Sequence, residues 1–208
     1  MRTLIVLGGE PPSPELLLYY ASRADWRIAA DAGINAFYKA GIWPDEFVGD
    51  GDSADENILA QFKGKQIQSD PIKNYSDGED AVFHALIKKA TNIMILGATG
   101  GRVDHLLYNI NLLSKCQQRK TYIDAWIIDA QTKLTVLGPG TWAIAMKKGQ
   151  VFSLWPLTSR CDVTAEGAEY PYEKPLLQTN SYGLSNVAVD EGVVFHIKKG
   201  RVVLCINL

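Results

Sequence analysis

The chain has 208 residues, of which 47% are hydrophobic and 21% are charged, and its formal net charge is −2. These values predict a soluble globular protein with room for one large or two small domains. Because the net charge is so small, we expect no nucleic acid or anionic membrane as a partner.

Apolar runs typical of strands alternate with segments of helical periodicity up to about residue 130. This alternation predicts an α/β fold, a mostly parallel sheet with helices on its faces. Ser53-x-x-Glu56 and Ser76-x-x-Glu79 each match a capping box at the start of a helix. The strands are expected at Leu4–Leu7, Arg27–Ala30, Glu46–Val48, Lys65–Gln68, Ile93–Leu96 and Tyr122–Ile128, and further helices at Pro14–Arg23, Ile34–Ala40 and Asp104–Cys116.

After Asp129 the helical periodicity ends and short β-prone runs follow. Such closely spaced strands predict a smaller all-β sandwich or barrel, so we place a domain boundary near residue 130. Lys148-Gly149 and Lys199-Gly200 look like hairpin turns. The strands are expected at Lys133–Leu137, Thr141–Met146, Val151–Leu157, Val187–Val189, Val193–Ile197 and Val202–Ile206.

Acidic residues stand where the predicted strands end, the edge at which open α/β sheets bind ligands. Asp50 and Asp52 are two residues apart, so in an extended segment their carboxylates point the same way. Asp31 follows another strand, and Asp77 stands at a predicted helix start. Grouped carboxylates suit a hard divalent cation. Taken singly, each is also an ordinary residue for a turn or for the first turn of a helix.

A glycine-rich segment, Gly97–Gly101, joins a predicted strand to a predicted helix. Glycines let backbone N–H groups approach an anion, and Arg102 would add a bidentate clamp on phosphate. The segment is neither G-x-G-x-x-G nor a Walker A loop. By itself it fits a plain strand-to-helix turn, with Asp104 as helix cap and His105 as a core or capping residue. Together with the acidic motifs, it suggests an enzyme that handles a magnesium nucleotide.

These motifs resemble those of the thiamine pyrophosphokinase family, in the family's order and over nearly the whole chain. The most specific match is G-G-R-x-D-H, at Gly100–His105, with Asn109 downstream. The matching segments are Val48–Ser53, Ser76–Asp77, Gly97–His105, Leu107–Asn109 and Tyr182–Asn186.

The resemblance implies an α/β domain, residues 1–130, that binds nucleotide and metal and carries out catalysis. It implies a β-sandwich, residues 131–208, that binds thiamine and forms a homodimer with the thiamine site between subunits. The implied reaction uses Mg²⁺ and transfers a pyrophosphoryl group from ATP to the hydroxyl of thiamine, leaving AMP.

The resemblance also implies roles for individual residues, by their positions in the motifs. The metal-binding residues would be Asp50, Asp52 and Asp77, which would also be catalytic together with Arg102. The nucleotide-binding residues would be Asp31, Gly100, Gly101, Arg102, Asp104, His105 and Asn109. The thiamine-binding residues would be Trp155, Ser185 and Asn186.

Three positions depart from the family's pattern. Gly51 stands where the family usually has an aromatic residue, and Ala32 replaces one of two glycines. Asn74 replaces an acid, and an amide supplies an oxygen ligand without the charge. These departures keep open an alternative, a diverged sensor that binds thiamine or nucleotide without catalysis. A diphosphotransferase or nucleotidyl enzyme acting on another alcohol is a second alternative.

The cysteines and the amino-terminal segment favour a cytoplasmic protein. Cys116, Cys161 and Cys205 are odd in number and far apart, so a disulfide framework is not expected. The apolar run Leu4–Leu7 is too short for a signal peptide.

Overall fold

The computed structural model describes residues 1–68, 75–117 and 123–208 and divides the chain into two compact units, Met1–Ala130 and Gln131–Leu208. The strands of the first unit are β1 (Arg2–Val6), β2 (Trp26–Ala30), β3 (Glu46–Gly49), β4 (Lys65–Gln68), β5 (Asn92–Leu96) and β6 (Asp124–Ile128). They lie parallel in the order β6-β5-β1-β2-β3-β4, which confirms the predicted mostly parallel sheet. Tyr122, the predicted start of the sixth strand, lies outside the described residues.

Helices cover this sheet, as predicted. They are α1 (Pro14–Ala21), α2 (Gly33–Lys39), α3 (Glu56–Gln61), α4 (Asp77–Ile87) and α5 (Val103–Gln117). Leu4 and Val6 of β1 belong to one apolar cluster with residues of α1, α2 and α3. Ile5 between them is fully buried as well, and alternation along the strand points it to the opposite face. Burial on both faces explains why the central strands are continuous apolar runs. No helix in the described part of the chain is long and apolar enough to cross a membrane.

The two predicted capping boxes have different outcomes. At α3 the prediction is wrong, because Asp55 is the N-cap and accepts hydrogen bonds from the N–H groups of Asn57 and Ile58 at 2.9 and 3.4 Å. At α4, Ser76 is the N-cap as predicted and accepts from the N–H of Glu79 at 3.2 Å.

The carboxylate of Glu79 does not close the capping box on Ser76. It instead accepts hydrogen bonds from Tyr108 and Lys115, both on α5. Glu79 therefore ties α4 to α5.

The second unit is a sandwich of two antiparallel sheets, as predicted. Its strands are β7 (Thr132–Leu137), β8 (Gly140–Ile144), β9 (Val151–Pro156), β10 (Arg160–Glu166), β11 (Leu176–Leu177), β12 (Asn186–Val187), β13 (Val193–Lys199) and β14 (Val202–Asn207). The sheets have the orders β12-β9-β14-β7 and β11-β10-β13-β8. Phe152 and Phe195, one from each sheet, are fully buried against each other with ring centroids 5.5 Å apart.

The two predicted hairpins of this unit are wrong. The strands before and after Lys148-Gly149 lie in different sheets, as do those before and after Lys199-Gly200. Gly149 and Gly200 still make tight turns, with φ of +84° and +85°. The chain crosses between sheets at each turn because each strand buries its apolar face against the opposite sheet. β10 was not predicted, although its alternating burial is typical of a strand with one solvent face.

Candidate active site

Three carboxylates meet at the carboxyl ends of β2 and β3. One side-chain oxygen from each of Asp31, Asp50 and Asp52 lies within 4.8 Å of the others. Asp31 follows β2 and Asp50 follows β3, and these strands are parallel neighbours. The N–H of Asp52 donates to Asp50 Oδ1 at 3.1 Å, and Ser53 Oγ donates to Asp52 Oδ1 at 3.0 Å. The sequence predicts that Asp50 and Asp52 converge, and the family resemblance implies that Asp31 lies beside them; the structure brings these three together.

Asp31 is held in an unfavourable environment. Its φ of +51° is rare for a residue other than glycine. Its Oδ1 atom is buried without a hydrogen-bond partner among the described residues. Burial raises the pKa of the Asp31 carboxyl, and the charges of Asp77 and Asp52 raise it further, while hydrogen bonds with Ser53 act in the opposite direction. A bound cation would supply the missing partner for Oδ1 and offset the repulsion.

Asp77 lies beside the cluster but is not one of its three closest members. It is the first residue of α4, and its Oδ1 is 3.5 Å from where a Cβ on Gly49 would be. Its role as a metal ligand stays a prediction. Gly51, between the two acids of the cluster, has a φ of +85°, which favours glycine there. Asn74 lies outside the described residues.

The glycine loop after β5 has a backbone that requires glycine. Gly97, Gly100 and Gly101 have φ of +65°, +73° and +61°. A Cβ on Gly97 would lie 2.4 Å from the carbonyl oxygen of Leu7, which no side chain tolerates. Asn109 Nδ2 donates to the carbonyl of Ala98 at 2.9 Å and so fastens the loop to α5. The predicted nucleotide-binding residue Asn109 therefore supports the loop directly.

Arg102 is already paired with an anion. Its Nη2 and Nε atoms donate to the two carboxylate oxygens of Asp104, at 2.6 and 3.1 Å. This hydrogen-bonded pairing lowers the pKa of Asp104 to about 2. The N–H of His105 also donates to Asp104, at 3.0 Å. Both members of the pair are exposed, so a phosphate group can replace Asp104 as the partner of Arg102.

A cavity of about 630 Å³ joins these motifs within the amino-terminal unit. Predicted site residues that line it are Asp31, Asp77, Gly100, Gly101, Arg102, His105 and Asn109. Asp50, Asp52 and Asp104 are not among the lining residues.

The sequence-based prediction gave no site role to several other lining residues, among them Gly8, Gly9, Glu10 and Ser53. The first three follow β1, the strand between β5 and β2, and Glu10 donates its N–H to the carbonyl of Thr99 at 2.9 Å. Their signal in the sequence is a Gly-Gly-Glu segment directly after the first apolar run.

In the carboxyl-terminal unit, Ser185 contacts β9, the strand on which Trp155 lies. The N–H of Ser185 donates to Ser153 Oγ at 3.0 Å, and exposed Trp155 is two residues further along that strand. Asn186 is buried, and its amide exchanges hydrogen bonds of 2.7 and 3.1 Å with the backbone of Tyr170. Asn186 thus holds the segment around Tyr170. Thiamine binding by these residues stays a prediction.

Comparison with known proteins identifies relatives of this chain. Residues 17–125 match the model of the thiamin pyrophosphokinase catalytic domain. A thiamine pyrophosphokinase of Bacillus subtilis is 30% identical, and the match covers 98% of both proteins. The crystal structure of thiamine pyrophosphokinase from Bacillus subtilis superposes with a TM-score of 0.85 at 27% identity, covering 100% of this chain and 99% of the other. The thiamin pyrophosphokinase of Candida albicans has the same fold, with a TM-score of 0.87 at 17% identity and coverage of 100% and 90%.

Proposed function

The chain belongs to the thiamine pyrophosphokinase family, and we propose that it transfers a pyrophosphoryl group from ATP to the hydroxyl of thiamine, releasing AMP. The observation that carries this proposal is that the acidic residues Asp31 and Asp77 line the same cavity as the glycine loop and Arg102. Carboxylates suit a cation and the loop suits phosphate, so the cavity suits a metal–nucleotide complex.

We propose Mg²⁺ as the metal, held by Asp50 and Asp52 with Asp31 or Asp77. The residues fit such an ion, because three carboxylate oxygens lie within 4.8 Å of one another and Asp31 Oδ1 is buried without a partner among the described residues. When bound, Mg²⁺ neutralises phosphate charge and orients the transferring group.

The protein's own contribution is positioning and charge. Backbone N–H groups of Gly100 and Gly101 would bind phosphate oxygens, and Arg102 would exchange Asp104 for the transferring group. The thiamine hydroxyl would then attack the β-phosphorus in line and give its proton to a carboxylate, while the bond from that phosphorus to the α,β-bridging oxygen breaks and AMP leaves. The acidic residues around the cavity also suit thiamine, which is a cation.

We further propose that the chain forms a homodimer through residues 131–208 and that Trp155 and Ser185 contact thiamine. Both residues are exposed within their unit, and Trp155 offers an aromatic surface that a cationic ring can stack on. Analytical ultracentrifugation tests the dimer. A cytoplasmic location is proposed as well, because none of the three cysteines, all of which belong to the described residues, forms a disulfide.

The reaction is tested by incubating the protein with ATP, Mg²⁺ and thiamine and measuring AMP and thiamine diphosphate. We expect both products in equal amounts, and neither when thiamine is left out. Folded protein that binds thiamine or ATP in calorimetry but forms neither product would instead support the sensor alternative. AMP formation with another alcohol, and none with thiamine, would contradict the proposed substrate.

A further inference from the structure

Glu46, the first residue of β3, has a carboxylate that is completely buried. Its oxygens contact Trp26 Nε1 at 3.1 Å, Lys65 Nζ at 3.3 Å and His84 Nδ1 at 3.4 Å, and Lys88 Nζ lies 4.0 Å away. These partners come from β2, β4 and α4 with its C-cap. Removing a carboxylate from water is unfavourable, and partners of this kind are needed to offset the cost. We expect a buried carboxylate of this kind where apolar packing alone does not fix the position of neighbouring elements.

His84 makes the connection between Glu46 and α4. Its other ring nitrogen, Nε2, is 3.8 Å from Asp80 Oδ1, one turn earlier on the same helix. The His84 side chain therefore lies between two carboxylates and is three-quarters buried, so its position relative to β3 is well defined. Lys88 adds a cation from the end of α4, 4.0 Å from a Glu46 oxygen, and also lies 4.0 Å from the centre of the Trp26 ring.

The Glu46–His84 contact lies at the opposite end of β3 and α4 from the candidate metal site. β3 runs from Glu46 to Gly49, a length of about 10 Å at the usual rise per strand residue. From Asp77 to His84 the helix rises about 10.5 Å in nearly two full turns, which places both residues on one face. β3 and the part of α4 from Asp77 to His84 therefore have about the same length. When His84 contacts Glu46 at one end, Asp77 lies beside Gly49 at the other.

Apolar packing alone would not fix the position of α4 along β3. The buried residues on this helix are Gly78, Ala81, Val82 and Ala85, whose small side chains give no directional contact. Directional hydrogen bonds and charge pairs resist a sliding motion that such side chains permit. A metal site needs its ligands placed to within about 0.5 Å, which is less than the rise of one helix residue.

We propose that Glu46 is a positioning residue, whose pairing with His84 and Lys88 fixes α4 along β3 and thereby places Asp77 opposite Asp50 and Asp52. This inference rests on the proposed function, because it assumes that these acids bind the catalytic cation. The buried polar network around Glu46, which is remote from the cavity, would then contribute to metal binding by positioning Asp77.

The test is Mn²⁺ binding to the full chain, measured by calorimetry and by electron paramagnetic resonance without ATP or thiamine. Glu46→Gln keeps the size and the acceptor for Trp26 but removes the charge that attracts His84 and Lys88. We expect Mn²⁺ affinity to fall about tenfold, the lower end of the range for residues that orient metal ligands. The matched control is Asp45→Asn, since Asp45 precedes β3 and pairs with Arg27 of β2 at 3.0 Å.

A second pair of variants covers the case in which Glu46→Gln does not fold. His84→Asn keeps a donor near the position of Nδ1 and should bind Mn²⁺ like the wild type, whereas His84→Leu should lose about tenfold. Equal Mn²⁺ affinity in the wild type and His84→Leu, or an equal loss in Asp45→Asn, would overturn the positioning role. Wild-type protein that binds no Mn²⁺ and forms no AMP would overturn the proposed function itself.

Discussion

The side-chain amide of Asn109 donates a 2.9 Å hydrogen bond to the carbonyl oxygen of Ala98, across the start of the glycine loop. Asn109→Asp replaces this donor with a carboxylate that repels the carbonyl. We expect the free energy of unfolding to fall by about 1–3 kcal/mol, the usual cost of an unmade buried hydrogen bond. We expect kcat/KM for ATP to fall by about tenfold or more, because the loop loses its support.

Steady-state kinetics with urea denaturation check this prediction. The control is Asn111→Asp, the same substitution at an exposed position of α5. Unchanged kinetics in Asn109→Asp would contradict the supporting role.

Asp31→Asn is expected to stabilise the protein without metal and to reduce activity. Burial, followed by the charges of Asp77 and Asp52, raises the pKa of Asp31 above its unfolded value. The stability that this group contributes is therefore complete below its unfolded pKa and is lost as pH rises through its folded pKa. At pH 7 in EDTA, the neutral amide should raise Tm by a few degrees. Differential scanning calorimetry should show a smaller rise in Tm at pH 4 than at pH 7. A Tm for the variant below that of the wild type at pH 7 would refute this prediction.

Asp50→Asn and Asp52→Asn are expected to separate metal binding from stability. Both side chains are exposed, so each substitution should change the free energy of unfolding by less than about 0.5 kcal/mol. Each should weaken Mg²⁺ binding, because one carboxylate charge is lost. The rise in Tm that saturating Mg²⁺ gives the wild type should then shrink or vanish. Asp190→Asn, an exposed acid in the other unit, should keep the full rise. The same rise in all variants would argue against the carboxylate cluster as the metal site.

Gly100→Ala and Gly101→Ala should differ in severity although they are neighbours. Both have positive φ, so alanine at either position costs about 1 kcal/mol in backbone strain. A Cβ on Gly100 would also lie 2.6 Å from the Cβ of Glu10, whereas a Cβ on Gly101 would meet nothing within 4 Å. We therefore expect a larger loss of stability in Gly100→Ala, measured by thermal unfolding. An equal loss of stability in the two variants would show that Glu10 moves to accommodate the added Cβ.

Trp155→Ala should raise KM for thiamine about tenfold and leave stability nearly unchanged, because its ring is 45% exposed. Asn186→Leu should instead destabilise the carboxyl-terminal unit by about 2 kcal/mol or more, since it leaves the backbone of Tyr170 without its partners. Thiamine kinetics and thermal unfolding on both variants distinguish the two effects. An unchanged KM in Trp155→Ala would remove this residue from the proposed thiamine site.

Much of the site follows from the alternation of strands and helices. Parallel strands end at one edge of a sheet, so acids that follow β2 and β3 must lie close together. That reasoning brings Asp31 near Asp50 without any knowledge of tertiary contacts. The same reasoning applies to Gly8-Gly9-Glu10 after β1. This segment was not predicted, because it has one acid and not two acids spaced two residues apart, as in Asp50 and Asp52.

Other features depend on contacts that local sequence does not encode. Ser53 and Asp55 are both good helix caps by residue type, and the structure uses Asp55, which leaves Ser53 to bond Asp52. Likewise, Gly149 and Gly200 fit the turns of a hairpin, and only the pairing of distant strands makes the chain cross between sheets. The network around Glu46 joins it to residues 19 to 42 positions away, so no local sequence pattern reveals it.

The link through Glu79 has a thermodynamic consequence. Glu79 joins α4, which begins with the acid Asp77, to α5, which begins beside the glycine loop. Nucleotide that orders the loop would restrict both helices together and so lower the entropic cost of capturing the cation. By reciprocity, the cation must favour nucleotide by the same factor, so the two should bind cooperatively rather than independently.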